Sequence, residues 1–119
     1  MNHKHIRSAD IPENDFGSII VQNLLDEPDY NKLSVAKVKI VGEQKFGLDQ
    51  ESDTAYYVLE GNGKFFFEDK EIDVTKGDLV FIPKNTNYKD SGQLTLLAIS
   101  VPKFDRNKRI RFDTELHIV

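Results

Sequence analysis

Cysteine and tryptophan are absent from the 119 residues. The first absence excludes disulfides and thiolate metal sites. Histidine occurs three times, as His3, His5 and His117. All three lie near the ends, so the middle of the chain has no imidazole to act as metal ligand or general base. No apolar run approaches the roughly 20 residues of a membrane-spanning helix. The opening Met1-Asn2-His3-Lys4-His5 has no apolar stretch behind it, so no secretory signal is expected. Twenty acidic residues against 16 basic ones give a formal net charge of −4. That balance offers no electrostatic footing for nucleic acid. A soluble, cytoplasmic protein with neither nucleic acid nor membrane as partner is the expectation.

What is present is strand pattern. The length is that of one domain, and 39% hydrophobic residues suit a folded core. From Leu33 to Val41 the chain alternates, with Ala36, Val38 and Ile40 on one face and Lys37 and Lys39 on the other. Period two predicts a strand. Ile19-Ile20-Val21, Ala55 to Glu60, Glu71 to Thr75, Leu79 to Ile82 and Leu94 to Val101 have the same β-type character. Gly61-Asn62-Gly63 tolerates positive φ, which predicts a tight turn with Lys64 to Glu68 as the returning arm of a hairpin. Short, evenly spaced strands without a helical period predict an all-β sandwich or barrel, with helix only as a short turn. The expected layout is one domain over 1–119, with a core of about 17–102, an N-terminal arm (1–16) and a C-terminal extension (103–119). In that extension Ile110 and Phe112 alternate with Arg109 and Arg111. The alternation permits one more edge strand, for which a partner subunit is one place; a partly ordered extension is the alternative.

Tyr56-Tyr57-Val58-Leu59-Glu60-Gly61-Asn62-Gly63, followed by Gly77-Asp78-Leu79-Val80-Phe81-Ile82-Pro83, resembles the two halves of a small single-domain cupin. The resemblance runs from about Phe46 to Asp105 and includes the exit Ser100-Val101-Pro102-Lys103-Phe104-Asp105. It implies an all-β jelly-roll barrel, two packed antiparallel sheets with a pocket between them, commonly paired as a homodimer. In the family, histidines and a glutamate hold a metal. By position those ligands correspond here to Gly47, Asp49, Thr54 and Tyr88. Within Pro83-Lys84-Asn85-Thr86-Asn87-Tyr88, Asn85 replaces a glycine, and asparagine is a residue that accepts positive φ. The backbone-shaping positions Gly61, Gly63, Gly77 and Pro83 are kept while the ligand set is gone. No metal and no cofactor are therefore expected.

Four residues are the candidate ligand-binding set: Asp49, Thr54, Tyr56 and Tyr88. Strand parity puts Tyr56 on the face of Thr54. The tyrosines either fill the space of the absent metal or present hydroxyls to a small polar ligand. Asp49, Glu51 and Asp53 would share a face if extended, with neighbours about 6.5–7 Å apart. A hard cation could use such oxygens, against a plain solvated acidic loop. His3 and His5 have ligand-like spacing in the N-terminal arm, and His117 reads as a surface residue. Phe65-Phe66-Phe67 must send at least one ring to each side. Lys37 and Lys39 read as a solvated face, and Lys84-Asn85-Thr86-Asn87 as a polar loop near the pocket mouth. The leading functional expectation is metal-independent binding of a small polar molecule. The alternative is an isomerase, epimerase or lyase using Asp49 and Tyr88 as acid and base, and a further alternative is a metal site of unusual ligands around the same two residues.

Overall fold

The computed structural model describes residues 2–112. Nine strands follow in order: β1 (Asn14–Asp15), β2 (Ile19–Leu25), β3 (Ser34–Glu43), β4 (Gly47–Asp49), β5 (Asp53–Phe67), β6 (Glu71–Thr75), β7 (Leu79–Ile82), β8 (Tyr88–Val101) and β9 (Arg109–Arg111). Helix among the described residues is confined to single 3-10 turns at Ser8–Asp10 and Arg106–Lys108. Every strand pair is antiparallel, and β8 is the hub. One edge of β8 pairs with β3 and then, at Tyr88, with β4; its other edge pairs with β5 from Asp53 to Phe67. The far edge of β5 takes β7 along Thr54–Tyr57 and β6 along Asn62–Phe66. The sheet curls on itself as a jelly-roll barrel.

Alternation sets the inside. Val38 and Ile40 of β3 are buried while Lys39 between them is exposed. Facing them inward are Leu94 and Leu96 of β8, Val58 and Phe65 of β5, Val74 of β6 and Val80 and Ile82 of β7. Burying an aliphatic or aromatic side chain of this size contributes about 1.5–3 kcal/mol. Asn85 sits at φ 63, and its amide donates to the Asp49 carbonyl at 2.7 Å. The asparagine thus holds the left-handed turn that a glycine would.

The expected hairpin at Gly61-Asn62-Gly63 does not form. Instead β5 runs unbroken through these residues. Its register against β8 shifts between Val58, opposite Leu96, and Glu60, opposite Thr95, so Leu59 is an extra residue in a β-bulge. Gly61 does take positive φ, +91°, but in the service of the bulge. The two strands are also very close there. A Cβ on Gly61 would lie 2.0 Å from the Gln93 carbonyl oxygen, and one on Gly63 would lie 2.2 Å from that of Ser91. One extra residue reverses the parity of everything downstream. Before the bulge Thr54, Tyr56 and Val58 point inward; after it Phe65 and Phe67 do, and Phe66 faces out, with the Lys89 ammonium 5.1 Å from its ring.

Pairing also crosses the expected limits of the core. Asn14 and Asp15 pair with β2, and Gln22 Nε2 donates to the carbonyls of Ser8 and Ile11 at 2.8 and 2.9 Å. At the other end Lys103 Nζ meets Asp26 at 2.9 Å, and the Phe104 amide donates to Ser34 Oγ at 2.9 Å. The chain then returns as β9, which pairs residue for residue with β4 of this same chain and not with a partner's sheet. His117 lies outside the described residues, while His3 and His5 are exposed in the arm. No helix among the described residues is long and apolar enough to cross a membrane.

Candidate functional site

The barrel half enclosed by β4, β5, β8 and β9 carries the polar chemistry. The β5 bulge aligns inward-facing Tyr56 with Phe65, and β8 brings Tyr88 against both. The ring centroids of Tyr56 and Phe65 are 5.6 Å apart, of Tyr56 and Tyr88 6.1 Å, and of Phe65 and Tyr88 6.2 Å. Within this apolar setting the Tyr56 and Tyr88 hydroxyls share a hydrogen bond of 2.6 Å. Tyr88 is buried, and Tyr56 is half-buried. Burial first, and Tyr88 beside it second, push the Tyr56 hydroxyl well above its ordinary range, so it stays protonated.

A guanidinium completes the group. Arg109 Nη1 donates to the Tyr88 hydroxyl at 3.0 Å, and its guanidinium carbon lies 4.8 Å from the Tyr88 ring centre. Burial works against its charge, but Tyr88, Tyr56 and Asp90 outweigh burial and raise its affinity for the proton. Gly47 is what lets Arg109 in. β4 and β9 approach so closely that a Cβ at position 47 would stand 2.4 Å from the Ile110 carbonyl oxygen. Any side chain there would push β9, and Arg109 with it, out of the barrel.

Asp90, two residues after Tyr88, also faces inward and is buried. Burial raises its carboxyl to about 6, against the opposing pull of Arg109 and Arg111. It forms no ion pair with either guanidinium. An acid held this far from its ordinary range inside a polar cluster is a physical mark of a functional position.

Of the four candidates read from the sequence, the structure brings Tyr56 and Tyr88 into direct contact. Asp49 is buried, but its Oδ1 accepts from the amides of Glu51 and Ser52 at 2.9 and 2.7 Å, closing the turn between β4 and β5. Asp53 is likewise occupied, with its Oδ1 accepting from the Lys84 amide at 2.9 Å. The acidic run is therefore loop scaffolding, and Tyr88 has Tyr56 and Arg109 as partners instead of Asp49. Thr54 is buried against Ser100, Oγ to Oγ 3.5 Å, one inward position further along β5 from Tyr56. The sequence reading missed Arg109 and Asp90. The alternation of Arg109-Ile110-Arg111 was the available signal for the first.

These residues do not fit a divalent metal. The positions that correspond to ligands hold a glycine, a carboxylate committed to a turn, a threonine and a phenol. Among the described residues no three His, Cys, Asp or Glu side chains gather into a metal-binding group. A fixed cation also stands at hydrogen-bond distance from the phenol, where a second cation would be repelled.

A surface groove of about 660 Å3 lies at one end of the barrel, between the β5–β6 connection and the Asn85-Thr86-Asn87 loop. It shares only Phe67 with the tyrosine cluster, and Phe67 in turn packs on Tyr88 at 6.5 Å between centroids. Asn87 lines it and carries a buried Oδ1 with no hydrogen-bond partner.

Comparison with known proteins agrees with this architecture. Residues 56–90 match the family described as the AraC-like ligand binding domain. An uncharacterized protein of Methanocaldococcus jannaschii is 32% identical over 69 residues, covering 55% of this chain. The chain spans about half the length of that curated relative, 51%. Among solved structures, Streptomyces Pac13, a nucleoside dehydratase, superposes with a TM-score of 0.81 at 18% identity over 97% of both chains. The polyketide cyclase RemF of Streptomyces resistomycificus superposes with a TM-score of 0.72 at 18% identity, over 85% of this chain and 80% of its own. The strand order, the inward alternation and these likenesses agree: the chain is a small jelly-roll barrel of the cupin fold.

Proposed function

We propose that the barrel binds a small molecule, without a metal, by giving the Tyr56–Tyr88 pair a hydrogen-bond acceptor. The carrying observation is a proton count. Two phenols hold two hydroxyl protons, and the bond between them uses one. Arg109 adds a donor to Tyr88 and takes none away. Among the described residues nothing accepts the remaining proton. Tyr56 is half-buried, so an acceptor on a ligand would add a hydrogen bond worth about 0.5–1.5 kcal/mol net. The match to a ligand-binding family over residues 56–90 covers both tyrosines and supports this reading.

Tyr56→Phe/Tyr88→Phe removes both phenolic protons and the acceptor for Arg109 with little change in volume, whereas Tyr88→Phe alone leaves the Tyr56 proton free to donate. The expected result of a ligand-observed NMR screen of small polar metabolites is a set of hits whose affinity falls roughly tenfold in the double variant, the equivalent of one hydrogen bond. Melting of the variant near the wild-type temperature would confirm that the site and not the fold was altered. Hits that bind the Tyr56→Phe/Tyr88→Phe double variant unchanged would sink the proposal.

A second reading, proton-transfer catalysis, is favoured by the 2.6 Å hydroxyl–hydroxyl bond beside a guanidinium. Such a relay can move a proton between a substrate and Tyr56. Its acid partner would be Asp90, which faces the tyrosines, in place of Asp49. Hits consumed by the wild type but only bound by Tyr88→Phe would select this reading.

We also propose that a second copy of the chain covers the outer face of β7, β5 and β8. Leu79 and Phe81 are 63% and 59% exposed, and Tyr57, opposite Leu79, is exposed beside them. Ile99 and Val101 extend the same face on β8. A contiguous exposed apolar patch is a feature that marks protein–protein contact surfaces. Light scattering at micromolar concentration should give twice the chain mass, and Phe81→Lys should halve it. A monomeric wild type would refute the pairing.

A further inference from the structure

We infer that the ligand of this site is a small organic monocarboxylate whose two oxygens are held by Arg109, an inference that rests on the tyrosine pair being a binding site. Of the five N–H groups on the Arg109 guanidinium, Nη1 is spent on the Tyr88 hydroxyl. No carboxylate pairs with the rest among the described residues, although Asp49 lies directly opposite on β4 and Asp90 faces the same space. Asp49 is turned into its own loop, with Oδ1 on two backbone amides. The result is a concentration of donors, several guanidinium N–H groups and one phenolic proton, that no protein acceptor among the described residues meets.

A planar guanidinium presents parallel N–H groups that match the two oxygens of a carboxylate. Stacking on Tyr88 at 4.8 Å and the 3.0 Å bond to its hydroxyl fix the plane of that fork before a ligand arrives. The spare phenolic proton supplies a third donor from the side.

Charge narrows the class. Arg109 is the one half-buried cation of the cluster; Arg111, the next inward position of β9, is exposed to solvent. Asp90 contributes negative charge on the same side, since it acts on both Tyr56 and Arg109. Arg109 supplies one positive charge that Asp90, when ionised, offsets, so a second negative charge on the ligand would find no cation to meet it. A phosphate dianion would meet Asp90 with too little positive charge to hold it. The neighbouring rings narrow the class again. Tyr56, Phe65, Phe67 and Tyr88 pack on one another with centroids 5.6–6.5 Å apart, an apolar neighbour to the guanidinium that favours a carbon body over a hydrated inorganic anion.

The test titrates the full chain with acetate against acetamide and benzoate against benzamide, with inorganic phosphate as a third arm. Binding is followed by 15N-edited NMR of the backbone and of the Arg109 side chain. The expected result is that at least one acid binds roughly tenfold or more tighter than its amide, as loss of a bidentate charged pair would give. Arg109→Gln erases that preference, Arg109→Lys keeps part of it, and phosphate shifts nothing in the barrel. Unchanged β4–β9 amide signals in Arg109→Gln establish that the strand is still in place. If acid and amide bind alike, and Tyr56→Phe/Tyr88→Phe weakens both, the carboxylate assignment is overturned while the binding reading stands. If no probe binds, the carboxylate assignment is overturned; if the probes bind and the double variant changes nothing, the binding reading falls with it. Tighter binding of phosphate than of either acid overturns the charge argument.

Discussion

Gly61→Ala is expected to destabilise the barrel by roughly 2–5 kcal/mol, because it combines positive φ with the shortest Cβ approach of any described glycine. Two costs coincide at this position. At φ +91° an L side chain is strained by about 1–2 kcal/mol. The new Cβ would also stand 2.0 Å from the Gln93 carbonyl oxygen, which is backbone in the middle of β8 and cannot rotate aside. Forcing a methyl into such a contact adds about 1–3 kcal/mol. Gly77→Ala separates the two costs. Gly77 has φ +94° but nothing within 4 Å of a Cβ, so only the backbone strain of about 1–2 kcal/mol applies. Urea denaturation of both variants checks this. Equal losses would show that the β5–β8 approach carries no energy of its own. A greater loss at Gly61 would also bear on the site, since the same bulge sets the parity that turns Phe65 and Phe67 toward Tyr88.

That glycine also illustrates how far the sequence could be read. Positive φ at Gly61 was legible, but its use was not, because a bulge and a hairpin turn ask for the same residue and differ only in what lies across from it. The alternation of Ala36, Val38 and Ile40 was legible because period two is local. The left-handed turn at Asn85 was legible through the family resemblance, where asparagine stands in place of a glycine and accepts positive φ. The Phe65-Phe66-Phe67 run could not be oriented, because its parity depends on Leu59 as an extra residue six to eight positions upstream. Tyr56 and Tyr88 were candidates from their positions in the motif, yet their contact joins residues 32 apart. Arg109 and Asp90 were hidden for a stronger reason. Arg109 stands in a basic tail that composition alone describes as solvated, and Asp90 sits in the polar run Lys89-Asp90-Ser91 ahead of an apolar strand. Arg109 is brought in by β9 folding onto β4, which Gly47 permits; the alternation of residues 109–112 allowed an edge strand but did not say which strand it would pair with.

Asp90→Asn is expected to stabilise the protein by about 2–3 kcal/mol at pH 7.5 and by little at pH 4. The carboxyl is raised from 3.8 to about 6, burial being the larger cause and the attraction of Arg109 and Arg111 the lesser, opposing one. A group raised in the folded state binds its proton more tightly there than in the unfolded chain. Its contribution is therefore fully favourable below about pH 4, is lost as pH rises through about 6, and stays lost above. Asparagine resembles the protonated acid in size and never ionises, so it removes that loss. Other carboxylates titrate in the same range, and subtracting wild type from variant at each pH cancels them. Thermal melts from pH 4 to 8 should give curves that nearly coincide at the acid end and separate toward neutrality, by several degrees for a change of this size. A variant less stable than wild type at pH 7.5 would mean that attraction to Arg109 and Arg111 outweighs burial, reversing the account of the cluster. The same variant also tests the site. Asp90 is the negative charge that faces a bound anion, so its removal should strengthen benzoate binding at pH 7.5 and leave benzamide unchanged. A stabilising substitution that also retunes ligand affinity is what a position kept for function, at a cost to the fold, would show.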